Sequence, residues 1–204
     1  MRKNNLENKK IVLASNNPGK VKEINELLAD TVFHIQSQSE FDVIEAEETG
    51  LTFVENAIIK ARNAARYTNH PVIADDSGIE VTGLKGRPGI YSARYAALEA
   101  SDEDNLNKLI EDIKPLHKVD RKARFVCSMV FLRHAEDPTP LISQGTWDGV
   151  VIMAPRGRNG FGYDPIFYLP THNCTSAELS PELKNRLSHR GQALKSLIQQ
   201  ISEI

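Results

Sequence analysis

Ile11-Val12-Leu13-Ala14 is an unbroken apolar run that stops at Ser15-Asn16-Asn17-Pro18-Gly19-Lys20, after which Val21, Ile24, Leu27 and Leu28 recur at helical spacing. This predicts strand, turn and helix, with Asn17 suited to the N-cap and Pro18 to the first helical position. A second helix is expected from Thr52, where Thr52-Phe53-Val54-Glu55 has capping-box spacing and Val54, Ala57, Ile58, Ala61 and Ala65 form an apolar stripe. Asn56, Lys60 and Asn63 share its other face. Pro71 to Ala74 reads as a buried strand ending at Asp75-Asp76-Ser77-Gly78, with Ile79 to Thr82 as a second extended piece. Ser101 and Asp104 flank the start of a helix carrying Leu106, Leu109, Ile110 and Ile113, and Pro115 follows its end. Residues 123–133 and 141–153 are the longest β-like stretches. The first is apolar on both alternating faces, as a central strand should be. A loop rich in Gly and Pro spans 154–165, and Leu187, Leu194, Leu197, Ile198 and Ile201 form a closing helical stripe suited to packing on the sheet. Strands alternating with helices, joined by both crossovers and hairpin-like connections, predict an α/β protein with a mixed sheet.

Composition adds few constraints. The 204 residues are 40% hydrophobic and 25% charged, with 12 Gly and 10 Pro, which excludes collagen, disorder and a coiled coil. At this length one domain, or one core with two lobes, is expected: a polar lead-in over residues 1–9 and a single domain over 10–204. Cys127 and Cys174 offer neither a disulfide framework nor metal-ligand spacing. Lysine and arginine number 25 against 27 acidic residues, a formal charge of -2, so no bulk attraction to nucleic acid or an anionic membrane is expected. Without a signal-like or membrane-spanning run, the expected location is the cytoplasm.

The polar segments between these elements hold the candidate chemistry. A strand feeding Ser15 to Lys20 into a helix N-terminus presents unpaired backbone N–H groups beside a lysine, which is an anion cradle if it is not simply a capped helix. It is not a Walker loop, since Ala14 and Val21 stand where that pattern needs Gly and Ser or Thr. Glu45, Glu47 and Glu48, with Asp75 and Asp76, form two carboxylate clusters, and Lys60 lies between them in sequence. Hard oxygen ligands of this kind suit Mg²⁺, which usually takes one or two carboxylates and leaves the rest to water and phosphate. Asp75 and Asp76 are neighbours in an extended segment, so they point to opposite faces. The alternatives are a solvated acidic loop for the glutamates and a turn for the aspartates. Gly160-Phe161-Gly162-Tyr163-Asp164-Pro165 can offer a flat ring to a base or pin an aromatic under the domain. Lys184, Ser188, His189 and Arg190 could donate to a carbonyl or phosphate, or form the exposed basic face of an amphipathic helix. His34, His70, His117, His134 and His172 have no spacing to metal partners and read as structural or solvent-facing.

Taken together, these segments resemble the inosine triphosphatase family of non-canonical purine nucleoside triphosphate pyrophosphatases, the XTP/dITP diphosphatases. The resemblance rests on Ser-Asn-Asn-Pro-Gly-Lys at 15–20, Glu-Glu-Thr-Gly at 47–50, Phe-Val-Glu-Asn-Ala at 53–57 and Ala-Asp-Asp-Ser-Gly at 74–78. It continues through Gly-Ile-Tyr-Ser-Ala-Arg-Tyr at 89–95, Gly-Phe-Gly-Tyr-Asp-Pro at 160–165 and Ser-His-Arg-Gly at 188–191. It implies an elongated mixed sheet with helices in two lobes around a nucleotide-binding cleft, a homodimer, and Mg²⁺-dependent hydrolysis of ITP, dITP and XTP to the monophosphate and pyrophosphate. It implies a triphosphate loop over Ser15, Asn16, Asn17, Pro18, Gly19 and Lys20, and metal-binding acids Glu47 and Asp76, with Asp76 also the general base. Further substrate contacts fall on Ser77, on the base loop Phe161, Gly162, Tyr163 and Asp164, on Lys184, on His189 and Arg190 at the purine six-position, and on Lys60 at a phosphate. A purine nucleotide sensor without catalysis would need the cradle and the aromatic loop but not the acidic pair. A single-stranded nucleic-acid module fits neither the charge nor the few aromatics.

Overall fold

The computed structural model describes residues 10–29 and 33–203; the expected lead-in over residues 1–9 lies outside them. Among the described residues, seven strands form one sheet in the order β2-β1-β3-β4-β5-β6-β7. They are β1 (Lys10–Leu13), β2 (His34–Ser37), β3 (Val72–Val81), β4 (Lys122–Leu132), β5 (Leu141–Val151), β6 (Phe167–Leu169) and β7 (Cys174–Thr175). β1 runs parallel to both β2 and β3, whereas β6 is antiparallel to β5 and β7, so the sheet is mixed and the fold is α/β. The helices are α1 (Pro18–Leu28), α2 (Phe53–Thr68), α3 (Asp102–Ile113), α4 (Pro181–Leu187) and α5 (His189–Ser202).

The chain divides into two compact units. One comprises Met1–Asp76, Cys127–Gln144 and Gly191–Ile204; the other comprises Ser77–Val126 and Gly145–Arg190. Within the first, strand residues alternate between two cores. Ile11, Leu13, Ile73, Cys127, Met129 and Phe131 pack with Ile24 and Leu28 of α1 and with Ala193, Leu194, Leu197 and Ile201 of α5. Val12, Ala14, Val72, Ala74, Val130 and Leu132 face Ala57, Ala61, Ala64 and Ala65 of α2. The alanine stripe lets α2 lie close on the strands, so one larger side chain there would cost about 1–3 kcal/mol in overpacking. The second unit has its own core, in which Ile79, Val81, Phe125, Trp147, Val151 and Phe167 meet Leu106, Leu109 and Ile113 of α3.

Helix termini follow local chemistry. Asn17 caps α1 by accepting from the Lys20 N–H, with Pro18 in the first turn. Thr52 caps α2 and accepts from the Glu55 N–H, while the Glu55 carboxylate takes the Leu51 N–H and the Thr52 hydroxyl. At its other end Asn69, at φ 54, closes α2 in the left-handed conformation that Asn tolerates.

Two expectations are corrected. The acidic pair does not end a strand, because β3 runs unbroken from Val72 to Val81 and carries Asp75 and Asp76 in its middle. The carboxylates can sit there because each has an ammonium partner, so burial does not force a turn. The closing stripe is two helices rather than one. Ser188 adopts an extended conformation at φ -69 and ψ 155, which ends α4 at Leu187 and starts α5 at His189.

Candidate active site

In the first unit the site grows from β1, β3 and α2. β1 leads directly into the capped turn, where Asn17 N–H donates to the Ser15 hydroxyl at 3.3 Å and the Asn16 amide donates to Glu45 at 2.8 Å. Lys20, in the first turn of α1, extends to Asp75: Nζ lies 3.0 Å from Oδ2, and the carboxylate is fully buried. Asp75 shares the Ile73 side of β3 by strand alternation, the side on which α1 packs.

Asp76 takes the other side, with α2. Its Oδ1 accepts from Lys60 Nζ at 2.9 Å and its Oδ2 from the Asn56 amide at 3.4 Å. Lys60 also donates to Glu48 Oε1 at 2.8 Å, so one ammonium joins the two carboxylates. Asn56 and Lys60 are four residues apart on one helix face, and Asn56 is itself fixed by accepting the Gly50 N–H at 2.8 Å. Burial pushes the Asp76 carboxyl above its ordinary value, against the pull of Lys60 and Lys20. Burial also opposes the charge on Lys60, but Asp76, Asp75 and Glu48 outweigh it and hold the ammonium above the usual lysine range.

Two ammonium groups, Lys20 and Lys60, thus face three carboxylates, Asp75, Asp76 and Glu48. The oxygen donors and the surplus negative charge fit a hard divalent cation. Among the described residues no three acids, histidines or cysteines gather as a ready-made cage.

The second unit begins at the next residue, Ser77, whose hydroxyl accepts from the Arg190 guanidinium at 2.9 Å. Asp164 is the hub of the glycine loop. Its Oδ2 accepts from the Phe161 N–H at 2.9 Å and from Lys184 Nζ at 2.5 Å, and its Oδ1 from the Ser176 hydroxyl at 2.8 Å. Gly160, at φ +77, is required: a Cβ there would lie 2.0 Å from Asp164 Oδ2. Tyr163 is buried and donates its hydroxyl to the Ser92 carbonyl at 2.7 Å, and burial raises the phenol well above its ordinary value. The Phe161 ring centroid lies 5.0 Å from Lys184 Nζ and 5.6 Å from the Arg190 guanidinium carbon. His189 stacks on Phe125 at 4.7 Å with 8° between the rings.

The sequence-expected residues therefore fall into two groups, Ser15–Lys20, Lys60 and Asp76 in the first unit, and Ser77, Phe161–Asp164, Lys184, His189 and Arg190 in the second. Lys184, His189 and Arg190 are buried, so the reading of an exposed basic helix face is overturned: α4 and α5 turn these side chains inward onto Asp164, Phe125 and Ser77. Glu48, rather than its neighbour Glu47, meets Lys60; the Glu47 residue is exposed. Asn56, Ser92 and Ser176 were not anticipated as site residues. Of these only Asn56 left a signal, its i, i+4 spacing to Lys60.

Two half-buried ammonium groups beside hard oxygen ligands, with an aromatic ring held on a separate glycine loop, suit an α/β nucleotide-handling protein. The chain belongs to the Ham1 family, whose model matches residues 11–200. It is 58% identical to the dITP/XTP pyrophosphatase of Vibrio cholerae, over 96% of this chain and 98% of that protein. It is 56% identical to the dITP/XTP pyrophosphatase of Escherichia coli O157:H7, over 93% and 96%. The structure of a HAM1 protein from Coxiella burnetii superposes with a TM-score of 0.88 at 48% identity, covering 96% of this chain and all of that one.

Proposed function

We propose that this chain hydrolyses the non-canonical purine nucleotides dITP, XTP and ITP to the nucleoside monophosphate and pyrophosphate, removing them from the nucleotide pool. The observation that carries the chemistry is Asp76: a buried carboxylate in mid-strand, held between Lys60 and Asn56 and raised in basicity by its burial. Phosphoryl transfer to water needs positioning and charge neutralisation more than covalent machinery. Lys20 and the first turn of α1 bind the triphosphate anion. Asp76 orients the attacking water and accepts its proton, a role that suits a carboxylate whose basicity burial raises. Asp76 and Glu48 would hold the cation, read as Mg²⁺, with Glu47 the other acid that the family resemblance points to. When bound, the cation withdraws charge from the phosphoryl oxygens. Arg190, oriented by Ser77, and His189 donate to the six-carbonyl of hypoxanthine or xanthine, where adenine would present a donor. Phe161 supplies the face on which the base stacks.

The same reading includes a homodimer in the cytoplasm. No helix among the described residues is long and apolar enough to cross a membrane. Product identity is the test. Incubation with ITP, XTP, dITP and ATP plus Mg²⁺ should release pyrophosphate from the first three in preference to ATP. Orthophosphate with a nucleoside diphosphate as the main products would overturn the assignment.

A further inference from the structure

We propose that Asp102, the first residue of α3, is a positioning residue that anchors the 160–164 loop and thereby sets discrimination between purine bases. This rests on the reading of that loop as the base-binding one. Asp102 Oδ2 accepts the Gly162 N–H at 2.9 Å across 60 residues of sequence. The N-terminus of α3 does not need Asp102 as its cap, because Ser101 and Asp104 cap it reciprocally: the Asp104 N–H donates to the Ser101 hydroxyl at 3.1 Å and the Ser101 N–H to Asp104 at 3.0 Å. The Asp102 carboxylate is therefore available to the loop.

Packing does not hold the loop at that point. A cavity of about 380 Å³ is lined by Asp102, Glu103 and Leu106 on the helix side and by Arg158–Gly162 and Pro165 on the loop side. At Gly162, with φ +58, no atom lies within 4 Å of the place a Cβ would occupy. Asp164 takes the Phe161 N–H on one side and Ser92 takes the Tyr163 hydroxyl on the other. Between them, the backbone at Gly162 is held by a hydrogen bond to a charged acceptor with open space beside it. Phe161 is the residue next to that bond, and its ring lies against both Lys184 and Arg190. Releasing Gly162 lets the ring shift relative to Arg190, which loosens the geometry on which base reading depends.

The test compares wild type with Asp102→Ala, with Asp102→Asn, which keeps an acceptor oxygen, and with Glu103→Ala as a neighbouring control. Amide hydrogen exchange over 158–165 and steady-state kinetics on ITP and ATP are measured. For Asp102→Ala we expect exchange in the loop to quicken about tenfold and KM for ITP to rise about 5- to 10-fold, the scale of one solvent-accessible hydrogen bond lost. The kcat should stay within about twofold and the ITP-over-ATP preference should narrow in step with KM. Asp102→Asn should recover most of both effects, and Glu103→Ala should match wild type. Unchanged exchange in Asp102→Ala overturns the anchor whatever the activity. Faster exchange with an unchanged ITP-to-ATP ratio overturns the role in discrimination. A wild-type chain that releases no pyrophosphate from ITP overturns the proposed function beneath it, and the discrimination claim with it.

Discussion

Asp75 and Asp76 differ by one position and by everything that surrounds them. Asp75 is fully buried against Lys20 at the Ser15–Lys20 turn, whereas Asp76 shares Lys60 with Glu48 and is steadied by Asn56. Asp76→Asn keeps the shape but removes the proposed metal ligand and base, and should lower kcat by at least the ~10²- to 10⁴-fold typical of a positioned acid–base group. Its fold should be retained, since an amide oxygen can still accept from Lys60, which keeps Glu48 as a charged partner. Asp75→Asn should act mainly on KM, by loosening Lys20, with a smaller loss of kcat. Steady-state kinetics and thermal melts on both variants check this, and equal kcat losses would show that the two faces of β3 have not divided the work. The alternation that separates the two acids was legible in the sequence, because a period of two follows from any strand. That Glu48 meets Lys60 was not, because loop residues have no fixed period to say which side chain turns inward. Nor was the burial of Lys184, since an ammonium goes inside only when a partner such as Asp164 is met there, and that partner lies 20 residues away in sequence.

At the scale of elements, the turn between β4 and β5 shows how one side chain can hold a connection in place. Asp137 is almost fully buried and accepts from the Arg133 N–H at 3.0 Å, the Arg133 Nε at 2.8 Å and the Thr139 N–H at 3.0 Å. Arg62 of α2 closes the arrangement by donating to the Ala135 and Asp137 carbonyls. The Arg133 hydrogen bond, foremost among several, holds the Asp137 carboxyl well below the usual carboxylate range. A carboxyl lowered on folding contributes stability above its unfolded value, near ~3.9, and loses that contribution as pH falls from there toward the folded value. Thermal melts should therefore show wild type losing stability below about pH 4 more steeply than Asp137→Asn, with Asp137→Ala costing roughly 1–3 kcal/mol at neutral pH. Parallel acid profiles for wild type and Asp137→Asn would rule this out. Elements with strong periodicity, such as α3 and β4, could be read from sequence to within a residue or two. The break at Ser188 could not, because Leu187 and Leu194 satisfy one helical period whether or not the backbone is interrupted between them.

Across the whole molecule, the α/β class followed from alternating apolar runs, while β6 and β7, only three and two residues long, carry too few positions to show a period. The two compact units each have a core of their own. Lys60 already brings positive charge to Asp76 and Glu48, so the fold should not depend on a bound cation. Chelation is expected to abolish pyrophosphate release while moving the melting temperature by less than roughly 2 °C; a large fall in melting temperature would show the cation to be structural. The unbroken course of β3 has a consequence for how this chain can change over evolutionary time. Loops absorb inserted or deleted residues readily, but a strand with buried side chains on both faces cannot. Loss of one residue between Ala74 and Ser77 would move each side chain after the gap to the opposite face, Ile79 and Val81 included. Here the count of residues, and not only their identity, is under constraint, so length changes within 72–81 should be tolerated far less than substitutions at the same positions.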